Sequence, residues 1–361
     1  MTNSIASPPA QAEDARREVA KRLLQCREAA KHPANLLTHV SCVDSTTGER
    51  FSFELTDEGE GWYWQRGLLD EWLASEKHIS LKARQLGITW LAGGLALWTM
   101  LYVPGSQVLA VSIKEEEAVK VVNRIWDMLG SLPEHLWNGA KIIKPSRGRP
   151  TFEIQVQFPD GRVSVIRGLT STPSAGHGST AALVILDEFS RQPYAAETWK
   201  AVLPTVQGGG RVLVISTGNG VSSPDGGGNF FHHLWVQGED YGLAKRFLAW
   251  DLHPERDERW YRTYAEALPP ADRGEQYPRD EDEAFILTGR PYFDREALAH
   301  YRPLIPEPRF RFDFVARGGK AKLDKTQHGR IRVYEEPVED RAYAIGADVA
   351  TGRGADFSAA Y

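Results

Sequence analysis

Two hydrophobic periods run along this chain. Gln11 to Lys31 is rich in Ala, Leu, Glu, Arg and Lys, which predicts an exposed helix, and His32-Pro33 ends it. Val40 to Leu55 carries Phe51-Ser-Phe-Glu-Leu55, an alternation that suits a strand. From Trp62 to Trp250 short apolar runs alternate with helical stretches. Ile79 to Leu81, Val108 to Ser112, Leu183 to Leu186 and Val212 to Ile215 predict strands buried on both faces of a parallel sheet. Glu115 to Leu129 predicts a helix. Phe152 to Phe158 and Val163 to Arg167 predict a hairpin turned at Pro159-Asp160-Gly161. This alternation argues for a doubly wound α/β domain. After Trp250 the chain reads as helical and charged, from Pro254 to Leu268. Pro303 to Pro308 reads as a linker, and Ile331 to Tyr334 and Tyr343 to Ala347 as strands of something new.

Leu86 to Val103 holds 18 residues without a charge, the lower edge of membrane-span length. Gly87, Gly93 and Gly94, and its place after a phosphate-loop-like turn, favour a buried helix of an α/β core instead. At 361 residues with 42% apolar and 25% charged positions, the chain suits about two globular domains. Lys plus Arg is 43 against 48 Asp plus Glu, a net charge of −5. That excludes a generally basic coat for nucleic acid, so any such contact must be local. Cys26 and Cys42 offer neither metal-ligand spacing nor a disulfide framework, which points to a reducing interior. Met1 to Ala10 lacks a basic region followed by an apolar core, so no secretory signal is expected.

Lys82-Ala83-Arg84-Gln85-Leu86-Gly87-Ile88-Thr89 follows a strand and opens a helix, the context a P-loop requires. Backbone N–H groups and the positive helix end hold phosphates in such loops. Gly87 permits close approach and Thr89 offers a hydroxyl to Mg²⁺. Against G-x-x-x-x-G-K-S/T, Lys82 stands for the first Gly and Ile88 for the Lys. Lys82 or Arg84 would supply the missing cation, and a plain strand–helix turn is the alternative. Leu183-Val-Ile-Leu186-Asp187-Glu188 runs four apolar residues into two acids at the carboxyl edge of a sheet, where open α/β folds bind ligands. Asp187 suits Mg²⁺ and Glu188 suits activation of a water. Val212-Leu-Val-Ile-Ser216-Thr217-Gly218 ends a third strand in small polar residues that can sense a γ-phosphate. Upstream, Gln65 beside Trp62 and Trp64 has the donor and acceptor edge that adenine needs.

In this order, Gln65, the 82–89 loop, Asp187-Glu188 and Ser216-Thr217-Gly218 resemble the ATPase of the large terminase subunit of tailed bacteriophages, a DNA-packaging motor. The form Arg84-Gln85-x-Gly87-x-Thr89 is typical of that family, and some members move the loop lysine to its first position, here Lys82. Pro224, Gly226 to Gly228 and Asn229-Phe230-Phe231 resemble its coupling motif and following helix. Glu283-Ala284-Phe285 with Pro291-Tyr-Phe293-Asp294 resembles its lid and linker. Ile345-Gly-Ala-Asp348 through Gly352, Gly354, Asp356 and Ser358 resembles the first strand and turn of the family's ribonuclease-H-like nuclease, where Asp348 would bind a divalent metal.

The resemblance implies an N-terminal helical and β segment over 1–60, a P-loop ATPase core over 61–250, a lid and linker over 251–340, and the start of a nuclease over 341–361. It implies Mg²⁺-dependent ATP hydrolysis, with Gln65 reading adenine and residues 82–89 cradling phosphates. Thr89 and Asp187 would hold Mg²⁺, Glu188 would activate water, and Ser216, Thr217 and Gly218 would couple hydrolysis to motion. The implied partners are double-stranded viral DNA, the portal and procapsid, and the small terminase subunit. A homo-pentameric ring is implied when assembled, and a monomer when isolated. The implied place is the host cytoplasm, transiently at the portal, with no membrane contact. Nuclease activity is expected of a full-length protein and not of this chain alone, because further carboxylates would be needed for two metals. For DNA, Lys141, Lys144, Arg147, Arg149, Arg162 and Arg167 are opposed between 141 and 167 only by Glu153 and Asp160, a local excess suited to phosphate contact or, equally, to a solvated hairpin face. His177 and His232-His233 lack metal partners and read as structural or surface residues. A helicase-like translocase and a catalytically dead nucleotide-binding scaffold, the latter favoured by Ile88, are the competing readings.

Overall fold

The computed structural model describes residues 10–43, 48–55, 61–146, 148–150, 152–176, 178–220, 229–285, 301, 304, 306–317, 320–326, 331–336, 338, 341, 347–348 and 359–360. Two compact units divide the chain, Met1–Thr288 and Gly289–Tyr361.

The first unit runs through α1 (Ala10–Lys31), α2 (Pro33–Leu37), β1 (Ser41–Val43), β2 (Arg50–Ser52), α3 (Trp64–Ala74), β3 (Lys77–Lys82), α4 (Ile88–Tyr102), β4 (Gln107–Ser112) and α5 (Glu115–Ser131). It continues through β5 (Lys141–Lys144), β6 (Glu153–Gln157), β7 (Val163–Thr170), β8 (Leu183–Asp187), α6 (Ala195–Val202), β9 (Arg211–Ser216), α7 (Phe230–Val236) and β10 (Ala244–Leu248). Short helices α8 (Glu258–Trp260), α9 (Pro270–Gln276) and α10 (Glu281–Ala284) close it.

Eight strands form one sheet in the order β10-β3-β9-β8-β4-β7-β6-β5. From β10 to β7 every neighbour is parallel, and β6 and β5 add an antiparallel hairpin edge. All five residues of β8 are buried, as a central parallel strand covered on both faces requires. One apolar cluster covers one face with α4, α5 and the N-terminal residues Leu36, Leu37 and Val40. The other face is covered by a cluster around Phe189, Trp199, Phe231 and Leu234.

The charge-free stretch after the loop is α4, 15 residues inside the first cluster. Its two central glycines explain its burial. A Cβ at Gly94 would stand 2.6 Å from Leu37 Cδ2, and one at Gly93 2.9 Å from Met128 Cε. Their absence lets α2 and α5 pack against α4. Among the described residues no helix is long and apolar enough to cross a membrane.

Strands β5 and β10 have no buried-run signature, because both lie at sheet edges and expose most of their residues. The expected helix Pro254 to Leu268 is present but shorter, an unbroken run over 258–265. It holds only α8 and a π-helical turn over Tyr261–Ala265, which presents Tyr261 to the core at 1% exposure. The first helix, the hairpin and the four buried strands fall where the periodicity places them.

In the second unit, β11 (Phe310–Arg317), β12 (Lys320–Lys325) and β13 (Ile331–Val333) make an antiparallel sheet in the order β12-β11-β13. Of these only β13 was expected from the pattern. Two-residue strands β14 (Ala347–Asp348) and β15 (Ala359–Ala360) pair antiparallel. The remainder of the expected strand Tyr343 to Ala347 lies outside the described residues.

Candidate functional site

The parallel register brings the candidate residues to one edge. Leu248 pairs with Lys82, Leu81 with Ser216, and Asp187 with Ile215. The carboxyl ends of β10, β3, β9 and β8 therefore stop side by side. Segments more than 100 residues apart in sequence meet there, at the edge where α/β sheets bind ligands.

The loop from Lys82 to Thr89 joins β3 to α4. Gly87 caps α4 in the left-handed region (φ 70°), and Gln85 also has positive φ (61°). Positive φ is ordinary for glycine and uncommon for glutamine. The Ala83 N–H donates to Leu248 O (2.9 Å) and the Arg84 N–H to Gln276 O (2.8 Å), so the loop's first half is held from behind. Among the described residues no hydrogen bond engages the N–H groups of Gln85 to Ile88. Free N–H groups at a helix N-terminus form an anion cradle. Gln65, at the start of α3, is 5% exposed and donates from Nε2 to Leu86 O (3.2 Å). It therefore touches the loop directly. Trp62 lies edge-on to His253, with ring centroids 4.8 Å apart, and Trp64 Nε1 donates to Leu252 O (2.8 Å).

Opposite the loop stand the two acids. Thr89 Oγ1 donates to Asp187 at 3.3 Å (Oδ1) and 3.4 Å (Oδ2). Burial, and then the neighbouring Glu188 carboxylate, push the Asp187 carboxyl above the usual carboxylate range; Lys82, Arg124 and the Thr89 hydroxyl pull against this. Glu188 adopts positive φ (48°) and turns the chain out of β8. Its Oε1 accepts from Lys82 Nζ at 2.9 Å, with the lysine side chain 7% and the glutamate 32% exposed. Burial alone would raise this carboxyl, yet Lys82, Arg191 and Arg84 together bring it below its ordinary value. Lys82 thus occupies the site, whereas the Arg84 guanidinium turns away to Gln276 Oε1 (3.3 Å). A hydroxyl and a buried carboxylate within 3.4 Å of each other are hard oxygen donors, and this set fits Mg²⁺.

Behind the acids, Ser216 (0% exposed) ends β9 and Thr217 (3%) follows it. Ser216 Oγ accepts from the Ser190 N–H (3.0 Å) and donates to Ser190 Oγ (2.8 Å), two residues beyond Glu188. Asn219 Nδ2 donates to Ser190 O (3.0 Å). Asn229 gathers the turn by donating to the carbonyls of Gly218 (2.8 Å), Asn219 (3.2 Å) and Gly220 (2.8 Å), and its Oδ1 caps α7. At Gly218 a Cβ would stand 1.8 Å from Ala284 O, so this turn touches α10 through bare backbone. Ser190 and the loop-binding Arg256 escaped sequence reasoning, and Asn229 was named there only within the coupling-motif resemblance. Ser and Asn near turns are too common to signal a role, and nothing local to Arg256 announces a partner 172 residues away. Pro224 and residues 226–228 lie outside the described residues.

The cations considered for DNA contact sit far along the sheet, around the antiparallel edge. Arg149 pairs with Asp127 (2.8 Å), Arg162 with Asp160 (2.6 Å), and Arg167 and Lys144 both with Glu153 (2.7 and 3.0 Å). Arg147 and His177 lie outside the described residues, as do residues 291–294, 349–358 and the side chain of Asp348. His233 stacks on Phe230 and bonds Tyr241 Oη (3.0 Å), and His232 meets Phe285 edge-on, which are structural contacts. Among the described residues no group of three His, Cys, Asp or Glu side chains is placed to hold a metal.

Residues 79–296, more than half of the chain, match the family described as terminase large subunit, T4likevirus-type, N-terminal. Among solved structures, the chain is similar to the large terminase ATPase domain of Thermus phage P74-26 (21% identity, 59% of this chain and 89% of that chain, TM-score 0.47). It is also similar to the large terminase of bacteriophage HK97 (16% identity, 79% and 61%, TM-score 0.48). A third is the large terminase of a thermophilic bacteriophage in complex with ADP (12% identity, 68% and 57%, TM-score 0.43).

Proposed function

The chain belongs to the terminase large subunit family, T4likevirus-type, over its N-terminal part, and from that premise we propose that its sheet edge hydrolyses ATP to drive double-stranded viral DNA into a procapsid. The observation that carries the reading is the convergence of Lys82, Thr89, Asp187 and Glu188 at one sheet edge beside a loop of free N–H groups. That meeting supports a functional loop despite Ile88, because Lys82 brings an ammonium into the site from the loop's first position.

In this reading the N–H groups of Gln85 to Ile88 and the Lys82 ammonium bind the phosphates, and Gln65, already against Leu86, orients the base. Thr89 and Asp187 would hold Mg²⁺, which when bound neutralises phosphate charge. Glu188 accepts a proton from the attacking water, and its lowered pKa keeps it ionised for that task. Leaving Glu188 for the phosphates, Lys82 would release the base as it stabilises the charge that develops. Ser190 ties Glu188's turn to Ser216 and Asn219, and Gly218 touches α10, so the contacts form one route from the acids to the segment after β10. The ATPase core over 61–250, a lid and linker over 251–340 and the start of a nuclease from 341 remain the proposed division. No cleavage step is assigned to Asp348. Portal, procapsid, small subunit and a pentameric ring are the proposed partners, in the host cytoplasm. DNA contact by Arg149, Arg162 and Arg167 would require their acid pairs to open.

The test is steady-state phosphate release by the purified chain, with and without DNA, in Mg²⁺ or in EDTA. Expected is Mg²⁺-dependent hydrolysis that Lys82→Ala abolishes and Arg84→Ala reduces less. Absence of hydrolysis in Mg²⁺ with DNA present would refute the reading.

A further inference from the structure

The loop holds an unusual conformation that its own sequence does not favour. Gln85 has positive φ without being glycine, and the residue beside it, Arg84, sends its side chain out to Gln276. The conformation is held by one buried group from elsewhere in the chain. Arg256, 7% exposed, lies between β10 and α8. Its Nη1 donates to Arg84 O (2.9 Å) and its Nη2 to Gln85 Oε1 (2.9 Å). Its guanidinium lies over two aromatic rings, 4.7 Å from the Trp260 centroid and 5.1 Å from that of Tyr277. Those rings meet edge to face at 5.2 Å, so the fork is fixed in place before it reaches the loop.

Peptide geometry gives these bonds a consequence. In a trans peptide the C=O and the following N–H point in opposite directions. Arg256 holds the Arg84 carbonyl outward, toward the aromatic pair. The N–H of Gln85 must then point the other way, and the N–H groups of Leu86 and Gly87 after it are also free. The Arg84 N–H is fixed by Gln276 O in the same manner. Residues 256 and 276 thus grip both polar groups of Arg84 from outside.

We propose that Arg256 is a positioning residue for the phosphate cradle: its two bonds to Arg84 O and Gln85 Oε1 hold the 84–85 peptide so that the Gln85 N–H faces the bound nucleotide's phosphates. This rests on the ATPase reading above. The substrate class it serves is a nucleoside triphosphate, and the effect belongs to binding, since an N–H aimed at a phosphate acts in ground and transition states alike.

The experiment compares wild type, Arg256→Met, Gln85→Ala and the double variant, reading KM for ATP, kcat and the thermal midpoint. Methionine fills the space between Trp260 and Tyr277 without donating, and exchange of a buried ion for a packed apolar chain is often tolerated. Arg256→Met is expected to raise KM roughly tenfold, the size of one oriented hydrogen bond to a charged group, with kcat within about twofold. Gln85→Ala is expected to raise KM by less, and to add nothing in the Arg256→Met background. If Arg256→Met does not fold, Gln85→Ala still decides: a KM equal to wild type overturns the proposal. An unchanged KM in Arg256→Met, or a fall in kcat and midpoint without a rise in KM, also overturns it and leaves the ATPase reading standing. A wild-type chain with no ATPase activity overturns both.

Discussion

Glu188→Gln tests the site at its centre. The substitution removes one charge and keeps the shape, so the left-handed backbone at position 188 (φ 48°) meets a side chain of the same length. Two effects follow, of very different size. At 2.9 Å the Lys82–Glu188 attraction is worth about 6 kcal/mol at an effective dielectric of about 20 and about 1.4 kcal/mol in water, before desolvation is subtracted. With the glutamate side chain 32% exposed and the amide oxygen still able to accept from Lys82, the expected loss of stability is about 1 kcal/mol. That is a shift of a few degrees in the thermal midpoint. Removing a general base costs about 10²–10⁴ in rate, or roughly 2.7–5.4 kcal/mol of barrier. ATP binding should stay level or tighten, because Lys82 no longer has to leave a carboxylate. Single-turnover phosphate release paired with equilibrium binding of ATP separates the two effects. Turnover within about threefold of wild type, with binding intact, would refute the assignment of Glu188 as base.

Two further outcomes are expected. Gly218→Ala places a Cβ 1.8 Å from Ala284 O; overpacking at a backbone contact should cost about 1–3 kcal/mol and lower turnover more than nucleotide affinity, which calorimetry and a binding titration would measure. His78, 1% exposed in β3, is driven by burial, and then by Arg246, down to a pKa of about 4. The unfolded chain takes up that proton near pH 6.5 and the folded chain only near pH 4. The stability this histidine permits is complete above pH 6.5 and declines as pH falls toward 4, by about 1.4 kcal/mol per pH unit and roughly 3 kcal/mol in all. Denaturant melts between pH 7 and 4 should flatten in His78→Leu by about that amount; equal slopes would remove His78 as the cause.

Strands β8 and β9 were legible because each is a short apolar run ending in polar residues. Leu183 to Asp187 and Val212 to Ser216 need burial on both faces, and only a central parallel position provides it. The edges were not legible. Ala244–Leu248 and Lys141–Lys144 mix charged and apolar residues as any exposed segment does, and their pairing comes from the neighbours β3 and β6. The helix expected over Pro254 to Leu268 is shorter, and its second part is π-helical, because its aromatic residues serve packing: Tyr261 lies 4.4 Å from Trp250 and 4.1 Å from the Arg279 guanidinium, contacts that a π-helical turn accommodates.

By itself the amino-acid order determined the α/β class, the loop, the acidic pair and the order in which they come, since each rests on local periodicity and on chemistry within a few residues. Which cation enters the site was open between Lys82 and Arg84. In the fold Lys82, at the end of β3, reaches Glu188 across the end of β9, while Gln276 draws the Arg84 side chain outward, and on that contact the phosphate role is proposed for Lys82. Structure also shows what holds the loop and the turn after β9: Arg256 grips Arg84 and Gln85, and Ser190 and Asn229 bond Ser216 and Gly218, partners that adjoin them only after folding. A side chain's type is written in the chain, but the group it faces is set by packing among segments far apart in sequence.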